Sequence, residues 1–204
     1  MPNNKILLQP SKIYHIYNRG INSTDLFFEN DNYEHFLRLY DKYIDPVADT
    51  FAWVLLKNHF HLLVKINSIP NLEGFESLQG LKNLPPEKRI YQQFSNLFNS
   101  YTKAINKRHK RTGALFESNF HRKLIDNKKY FKNMIVYINN NPVHHGFCEH
   151  ALEYPWSSYL STISFKPTKA KRKEVIGWFN NVANFKTTHD KSVNFHEIDE
   201  WLKI

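Results

Sequence analysis

The chain is poor in the residues that cross-link a protein or anchor it in a membrane. Cys148 is the only cysteine among 204 residues, so the chain can form no internal disulfide and no cysteine-based zinc site. No uninterrupted apolar stretch approaches the roughly 18 residues that span a bilayer, and the first residues lack an apolar signal core. These features predict a cytosolic protein that does not contact a membrane.

Acidic residues are also scarce relative to basic ones. The chain has 28 Lys and Arg against 19 Asp and Glu, which gives a formal net charge of +9. Ten of the basic residues lie between residues 103 and 132, where Glu117 and Asp126 are the only acids and aromatic residues are frequent. Dense basic segments with aromatic neighbours are typical of proteins that bind nucleic acid. The alternative is a solvated basic surface.

The basic residues supply a set of candidate contacts to nucleic acid. The set consists of Arg19, Lys57, Lys103, Lys107, Arg108, Lys110, Arg111, Arg122 and Lys123. A second basic cluster at residues 166–173 and a helix-like stretch at 174–185 predict a C-terminal extension over residues 161–204. That extension either adds a DNA-binding arm or packs on the sheet.

Two histidines separated by one residue suggest a metal site. Residues 51–66 read FAWVLLKNHFHLLVKI, a run rich in β-branched and aromatic residues that predicts two strands with a turn near Lys57 and Asn58. Alternate residues of a strand share a face, so His59 and His61 should project together while Phe60 enters the core. Two imidazoles held this way are suitable ligands for a divalent metal. The alternative is a chance pair of ordinary strand histidines.

The hydrophobic pattern predicts the order of the remaining elements. A strand at residues 13–17, helices near 33–40 and 90–105, and a strand at 115–125 flank the histidine strands. A further helix should begin at Asp126 and end at residues 139–142. The order β-α-β-β-α-β followed by this helix predicts an α+β protein with the ferredoxin-like split arrangement, in which an antiparallel sheet carries helices on one face. Residues 67–88, rich in proline and glycine, predict a long loop.

The predicted last helix carries a second candidate set of residues. Tyr137 and Asn141 are four residues apart and therefore share one helix face. A tyrosine can act as a covalent nucleophile while a metal polarises the phosphate that it attacks. The amide oxygen of Asn141 suits Mg²⁺ or Mn²⁺ as a third ligand beside two imidazoles. Two alternatives remain open: Asn141 before a proline is also a common helix terminator, and Tyr130 is a competing nucleophile.

Three strings together resemble the REP-associated tyrosine transposases, domesticated relatives of the single-tyrosine HUH transposases of bacterial insertion sequences. They are YHIYNRG at residues 14–20, KNHFHLLV at 57–64 and YINNNPV at 137–143. The strings GALFE at 113–117 and WSSY at 156–159 are similar as well, so the resemblance covers nearly the whole chain. The sequence departs from the family at Lys57, where a proline is common, and in the length of the segment 67–88.

The resemblance implies a defined chemistry. Tyr137 would attack a phosphodiester of single-stranded DNA and leave a 5′-phosphotyrosine and a free 3′-hydroxyl, which can reverse the reaction. His59, His61 and Asn141 would hold Mg²⁺ or Mn²⁺. The family also implies an imperfect DNA hairpin as substrate, a homodimer, and a place in the cytoplasm at the nucleoid. Residues 1–160 would form the catalytic domain and residues 161–204 its basic extension.

Two other classes of function fit the same residues. Ferredoxin-like sheets also occur in non-catalytic proteins that bind RNA or DNA hairpins, and in such a protein Tyr137 would only pack or stack. A metal-dependent phosphoesterase would use water activated at the histidine pair and form no covalent intermediate.

Overall fold

The computed structural model describes residues 7–68 and 84–191 together with Ile198 and Glu200. The predicted loop at 67–88 therefore lies mostly outside the described residues, although its last residues, from Pro86, are helical. The main elements in chain order are β1 (Ile13–Arg19), α1 (Asn30–Tyr43), β2 (Ala48–Leu56), β3 (His59–Ile66), α2 (Pro86–Arg108), β4 (His121–Ile125), α3 (Lys128–His144), α4 (Ser158–Ile163), α5 (Arg172–Trp178) and α6 (Val182–Asp190).

Within the described residues, four strands form one antiparallel sheet in the order β2-β3-β1-β4. Strands β2 and β3 form a hairpin that turns at Lys57 and Asn58, as the sequence predicts. The register places Tyr17 of β1 opposite His61 of β3 on one side and His121 of β4 on the other. Side chains from three strands are thereby brought together on one face.

Helices α1 and α2 cover one face of the sheet. Phe60 is fully buried in this first core, as predicted, where it packs beside Phe36 of α1 and Phe98 of α2. Helix α2 is amphipathic because its apolar residues recur at helical spacing and its solvent face carries Lys103 and Lys107. Among the described residues, no helix combines the length and hydropathy that a membrane span requires.

The opposite face is covered too, by helices that follow the β-α-β-β-α-β unit. Helix α3 packs on β2 and β3, and residues from the helices that follow it, among them Val175, Phe179 and Phe185, complete a second core. The reason lies in β2 and β3, whose side chains are apolar on both faces. Leaving either face in water would expose a large hydrophobic area.

The fourth strand is shorter than predicted. Strand β4 begins at His121, whereas the sequence pattern suggested a start at Leu115. Leu115 and Phe116 are buried in the first core, and a single bridge from Phe116 to Gly20 is their link to the sheet. Their apolar character reflects burial in a loop. A strand-like sequence pattern does not distinguish a buried loop from a strand that pairs in a sheet.

Helix α3 begins and ends later than predicted. Its N-cap is Asn127, whose Oδ1 accepts a hydrogen bond from the Lys129 N–H at 2.8 Å. At the other end the helix continues through Pro142 to His144. A proline inside a helix removes one backbone hydrogen bond, but Pro142 is buried between neighbouring elements. Tertiary packing therefore outweighs the local stop signal.

Buried polar side chains join α3 to the helices that follow it. Asn140 Nδ2 donates to the His189 carbonyl oxygen at 2.7 Å, and Asn139 Nδ2 lies 3.2 Å from His189 Nε2. Ser158 Oγ donates to Asn139 Oδ1 at 2.7 Å. These bonds fix α3 against α4 and α6.

The boundary predicted at residue 160 falls within α4, and the division into two domains stays a prediction.

The chain turns sharply after β1 at Gly20. Its N–H donates to the carbonyl oxygen of Asn58 at 2.8 Å, which ties the end of β1 to the β2–β3 turn. A Cβ atom at this position would lie only 1.9 Å from the carbonyl oxygen of Thr24. Glycine is therefore required by close backbone approach, and the turn fixes the position of Arg19 beside the cavity described next.

Candidate active site

A cavity of about 780 Å³ lies where the ends of β1 and β3 meet helix α3. A space of this size is in the range of small-molecule and cofactor sites. It is lined by Tyr17, Asn18, Arg19, Ser23, Asn58, His59, Phe60, His61, Glu117, His121, Tyr137, His144, His145 and Phe147. The predicted histidine pair and the predicted nucleophile thus line the same cavity.

Tyr137 lies against the histidine pair from the helix side. Its ring centroid is 5.6 Å from that of His61, with the two rings nearly perpendicular at 88°. Tyr137 is 2% exposed and packs in the second core, and it is also one of the residues that line the cavity. Tyr130, the competing candidate, is partly buried against the second core and is not among the cavity-lining residues.

His59 has an oxygen atom beside each of its ring nitrogens. Its Nδ1 lies 2.8 Å from Asn58 Oδ1, and its Nε2 lies 3.2 Å from Asn141 Oδ1. Burial, followed by the nearby charge of His145, lowers the pKa of His59 to about 4, so the ring is neutral at pH 7. A neutral imidazole has one N–H. One of these two contacts therefore brings two lone pairs together.

His61 is engaged by a third histidine. Its Nδ1 lies 2.9 Å from Nε2 of His15, which is fully buried on β1. Burial is the main cause that lowers the pKa of both rings, and that of His15 falls to about 3. The ring centroids of His59 and His61 are 5.3 Å apart. Nδ1 of each histidine thus makes a structural contact, which leaves Nε2 as the nitrogen that could bind a metal.

The donor set fits a divalent cation. Two neutral imidazoles and an amide oxygen are typical ligands for such an ion. The lone pairs of His59 Nε2 and Asn141 Oδ1 face each other, and a cation bound by both atoms would stabilise this arrangement. Asn141 Nδ2 is buried without a hydrogen-bond partner in the described part of the chain. Across the same residues, no three or more histidine, cysteine, aspartate or glutamate side chains form a group that could hold a metal.

Stacked rings extend from the histidine pair across the sheet. Tyr17 stacks on His61 at 5.8 Å between ring centroids and on His121 at 5.0 Å. Tyr17 is half-buried and His121 is exposed, and both line the cavity. Flat rings on an open face can stack with the bases of a single strand.

One of the nine basic candidate residues reaches the cavity wall. Arg19 lines the cavity, and its Nε donates to Glu117 Oε1 at 2.7 Å. The Arg19 side chain is 62% exposed, so this ion pair is open to water and weak. A phosphate group entering the cavity can therefore compete with Glu117 for the guanidinium.

Lys57, Arg108 and Arg122 are among the candidate residues that have partners within the chain. Lys57 Nζ lies 3.0 Å from Asp25 Oδ2. Arg108 joins α2 to α1 through Glu29 and through Asp31, the latter at 3.2 Å. Arg122 lies over the ring of Phe120 at 5.0 Å. These contacts give each residue a structural role besides any role in DNA binding.

The remaining basic candidates lie away from the cavity wall. Lys103, Lys107 and Lys110 are exposed, while Arg111 and Lys123 are half-buried. The structure therefore does not bring the nine residues into one patch around Tyr137. Their contact with DNA stays a prediction.

Sequence reasoning assigned no role to several residues of this site. His15, Tyr17, His121, His145 and Glu117 all touch either the cavity or the histidine pair. Strand alternation placed His15 and Tyr17 on one face of β1, which was a usable signal. The register of β1 with β3 and β4, which brings the rings together, was not readable from the sequence.

Comparison with known proteins yields a structural match. No family model matches the chain, and no curated protein does. A solved structure of a REP-associated tyrosine transposase bound to a REP hairpin is similar over 82% of this chain and 89% of that chain, with a TM-score of 0.59 and 15% sequence identity. At such a low sequence identity the similarity shows the fold alone. It agrees with the resemblance predicted from the motifs: this chain shares its fold with a REP-associated tyrosine transposase.

Proposed function

We propose that the chain is a metal-dependent enzyme that nicks and rejoins single-stranded DNA through a phosphotyrosine at Tyr137. One observation carries the proposal. Tyr137 of α3 lines the same cavity as His59 and His61 of β3, and Asn141 of α3 contacts His59 directly. The two pairs are far apart in the sequence. Packing alone does not require a phenol, two imidazoles and an amide oxygen to meet beside a cavity.

The proposed step is a transesterification. The Tyr137 oxygen attacks the phosphorus, the new O–P bond forms, and the bond from phosphorus to the 3′-oxygen breaks. The phenolic proton is lost to solvent, and the 3′-oxygen takes up a proton to leave as a hydroxyl. The reverse attack by that hydroxyl, or by another, rejoins a strand without ATP, because the phosphotyrosine conserves the energy of the original ester.

His59, His61 and Asn141 would hold Mg²⁺ or Mn²⁺. When bound, the ion neutralises charge that develops on the phosphate under attack. Rotation of the Asn141 side chain about Cβ–Cγ exchanges Oδ1 and Nδ2. The amide can therefore donate to His59 in the metal-free protein and present its oxygen when a cation is bound.

The substrate we propose is single-stranded DNA next to a hairpin. The stacked rings of Tyr17 and His121 suit unpaired bases, and Arg19 offers a cation at the cavity wall. The similar protein is described as bound to a REP hairpin, in line with a hairpin as recognition element here. We carry the homodimer and the place at the bacterial nucleoid over from the family resemblance as further proposals.

We also assign the sheet to the ferredoxin-like split arrangement. The support is the chain order β1-α1-β2-β3-α2-β4 together with the antiparallel strand order β2-β3-β1-β4. Residues 1–160 would then form the catalytic domain and residues 161–204 an extension that contributes to the second core.

The decisive test is formation of a covalent protein–DNA adduct. The protein is incubated with Mn²⁺ and a hairpin oligonucleotide with a single-stranded flank, and a denaturing gel reports the adduct. Wild type and Tyr130→Phe should form it. Tyr137→Phe should lower it by roughly three orders of magnitude or more, as loss of a nucleophile does, and His59→Ala should also lose it.

Each competing function predicts a different outcome. Cleavage that survives Tyr137→Phe without any adduct would identify a phosphoesterase that uses water. Hairpin binding without cleavage, unchanged in Tyr137→Phe, would identify a recognition protein. An adduct lost in Tyr130→Phe instead would move the nucleophile to residue 130.

A further inference from the structure

We propose that His15 is a positioning residue that holds the ring of His61 and accepts its Nδ1–H when Nε2 of His61 binds a cation. This inference rests on the proposed metal-binding function. It assigns a task to a fully buried histidine that the phosphotyrosine chemistry itself does not use.

The contact between the two rings is well defined. His15 Nε2 and His61 Nδ1 are 2.9 Å apart, and the ring planes differ by only 8°. The residues lie on the neighbouring strands β1 and β3, which hold both backbones rigid. His15 also stacks on Tyr17, with 4.9 Å between the ring centroids. The His15 ring is therefore held on two sides.

A single hydrogen lies between these two nitrogens, and its position decides what His61 can bind. If His15 Nε2–H donates, the one proton of neutral His61 is on Nε2, and that nitrogen cannot ligate a metal. If His61 Nδ1–H donates, His61 Nε2 carries a free lone pair. The proton of neutral His15 is then on Nδ1. Each ring keeps one proton in both arrangements.

His59 shows the same pattern with a different partner. Its Nδ1 lies 2.8 Å from Asn58 Oδ1, an oxygen that can only accept. Metal-binding histidines commonly donate their second N–H to a neighbouring acceptor, which sets the tautomer and the ring orientation. Both candidate ligands are thus held through Nδ1, His59 by an amide oxygen and His61 by His15.

His15 differs from Asn58 because it can either donate or accept. Its Nδ1 is buried without a hydrogen-bond partner within the described residues. An unpartnered buried N–H is unfavourable, so the arrangement with the proton on His15 Nδ1 needs compensation. Coordination of a cation by His61 Nε2 supplies it. We infer that cation binding shifts both rings together to the Nδ1–H tautomer.

The test begins with Mn²⁺ affinity measured by calorimetry on the full chain without DNA. His15→Phe removes the acceptor and should lower the affinity by roughly 10- to 100-fold, as changes to such partners do. His15→Gln, whose amide reaches the position of Nε2, should stay within about threefold of wild type. His35→Gln, which alters a histidine of α1 that does not line the cavity, is the matched control and should bind like wild type.

A second measurement uses the wild-type protein and does not depend on how the variants fold. Long-range ¹H–¹⁵N NMR correlations of the imidazoles report which nitrogen is protonated. At saturating Mg²⁺ both His15 and His61 should be Nδ1–H tautomers. A proton on Nε2 of either ring in the Mg²⁺-bound protein would overturn the inference.

The two proposals fail in distinguishable ways. If wild type binds Mn²⁺ and His59→Ala does not, but His15→Phe binds like wild type, the metal site stands and the role of His15 is wrong. If wild type itself binds no divalent cation, the proposed metal-dependent function is wrong, and this inference falls with it.

Discussion

Nε2 of His59 lies 3.2 Å from Oδ1 of Asn141, although 82 residues separate the two in the sequence. The contact links the central sheet to helix α3, one turn away from Tyr137. Because both ends are on regular elements, the spacing between the candidate ligands is set by the fold.

Replacing Asn141 with alanine should weaken Mn²⁺ binding at least tenfold and reduce the covalent adduct. The physical reason is the loss of the amide oxygen that faces Nε2 of His59. Asn141→Asp keeps an oxygen ligand and should retain binding. Calorimetry measures the affinity of each variant.

The matched control is Asn133→Ala, which removes an amide from the same helix but is not at the cavity. It should leave Mn²⁺ affinity unchanged. Equal affinity for Asn141→Ala and wild type, both folded by circular dichroism, would exclude Asn141 as a ligand.

The ion pair between Arg19 and Glu117 predicts opposite effects of its two members on DNA affinity. Arg19→Ala should weaken single-strand binding and reduce the slope of log K against log salt by about one. Glu117→Gln should strengthen binding, because it releases the guanidinium from its 2.7 Å contact. Fluorescence anisotropy over a salt series measures both effects.

Arg38 provides the comparison for this prediction, since it is another exposed arginine paired with a glutamate. Arg38→Ala should change neither affinity nor slope. A uniform loss in both arginine variants would mean that net charge, rather than the cavity position of Arg19, determines binding.

Arg108 should contribute less to DNA binding than its neighbour Lys107. The Arg108 guanidinium contacts Glu29 and Asp31 across the α1–α2 contact, and the hydrogen bond to Glu29 raises its pKa. Charge reversal at Lys107 should therefore change the salt slope more than charge reversal at Arg108. Anisotropy titrations of Lys107→Glu and Arg108→Glu at matched salt decide the order. A larger change for Arg108 would contradict the structural role assigned to it.

His189 should make the fold less stable in mild acid. Burial lowers its pKa from 6.5 to about 4. Above pH 6.5 the ring is neutral in both the folded and the unfolded chain. Between pH 6.5 and 4 the unfolded chain binds a proton that the folded chain does not. The free energy of unfolding then falls by about 1.4 kcal/mol per pH unit, or roughly 3 kcal/mol in all.

Urea unfolding between pH 4.5 and 7.5 measures this dependence. His189→Gln removes the titrating ring, so its stability should vary less steeply with pH than that of wild type. Asn184→Gln, a substitution at an exposed position of the same helix α6 that carries no titrating group, should keep the wild-type slope. Identical slopes for wild type and His189→Gln would mean that residue 189 protonates equally well in the folded chain.

Local patterns predicted the elements that form the site. Alternation placed His59 and His61 on one face of a strand, and helical spacing placed Tyr137 and Asn141 on one face of a helix. Both follow from backbone geometry that holds for any chain. The turn at Lys57 and Asn58 was predicted for the same reason.

Long-range packing was not predictable in this way. Pro142 reads as a helix stop, yet α3 continues to His144, and Asn139 and Asn140 just before the proline bond to His189, about fifty residues later. The role of His15 depends on its distance from His61, which is set by strand register. Such relationships arise from tertiary structure, which the local pattern of a sequence does not display.

Gly20 sets a limit on how this protein can be altered. Even a methyl group at that corner would overlap the Thr24 carbonyl oxygen, while the same corner carries Arg19 on one side and contacts Asn58 on the other. Laboratory evolution aimed at a new target strand must therefore leave residue 20 untouched. Any substitution there would displace both the Arg19 guanidinium and Asn58, the residue that contacts His59 Nδ1.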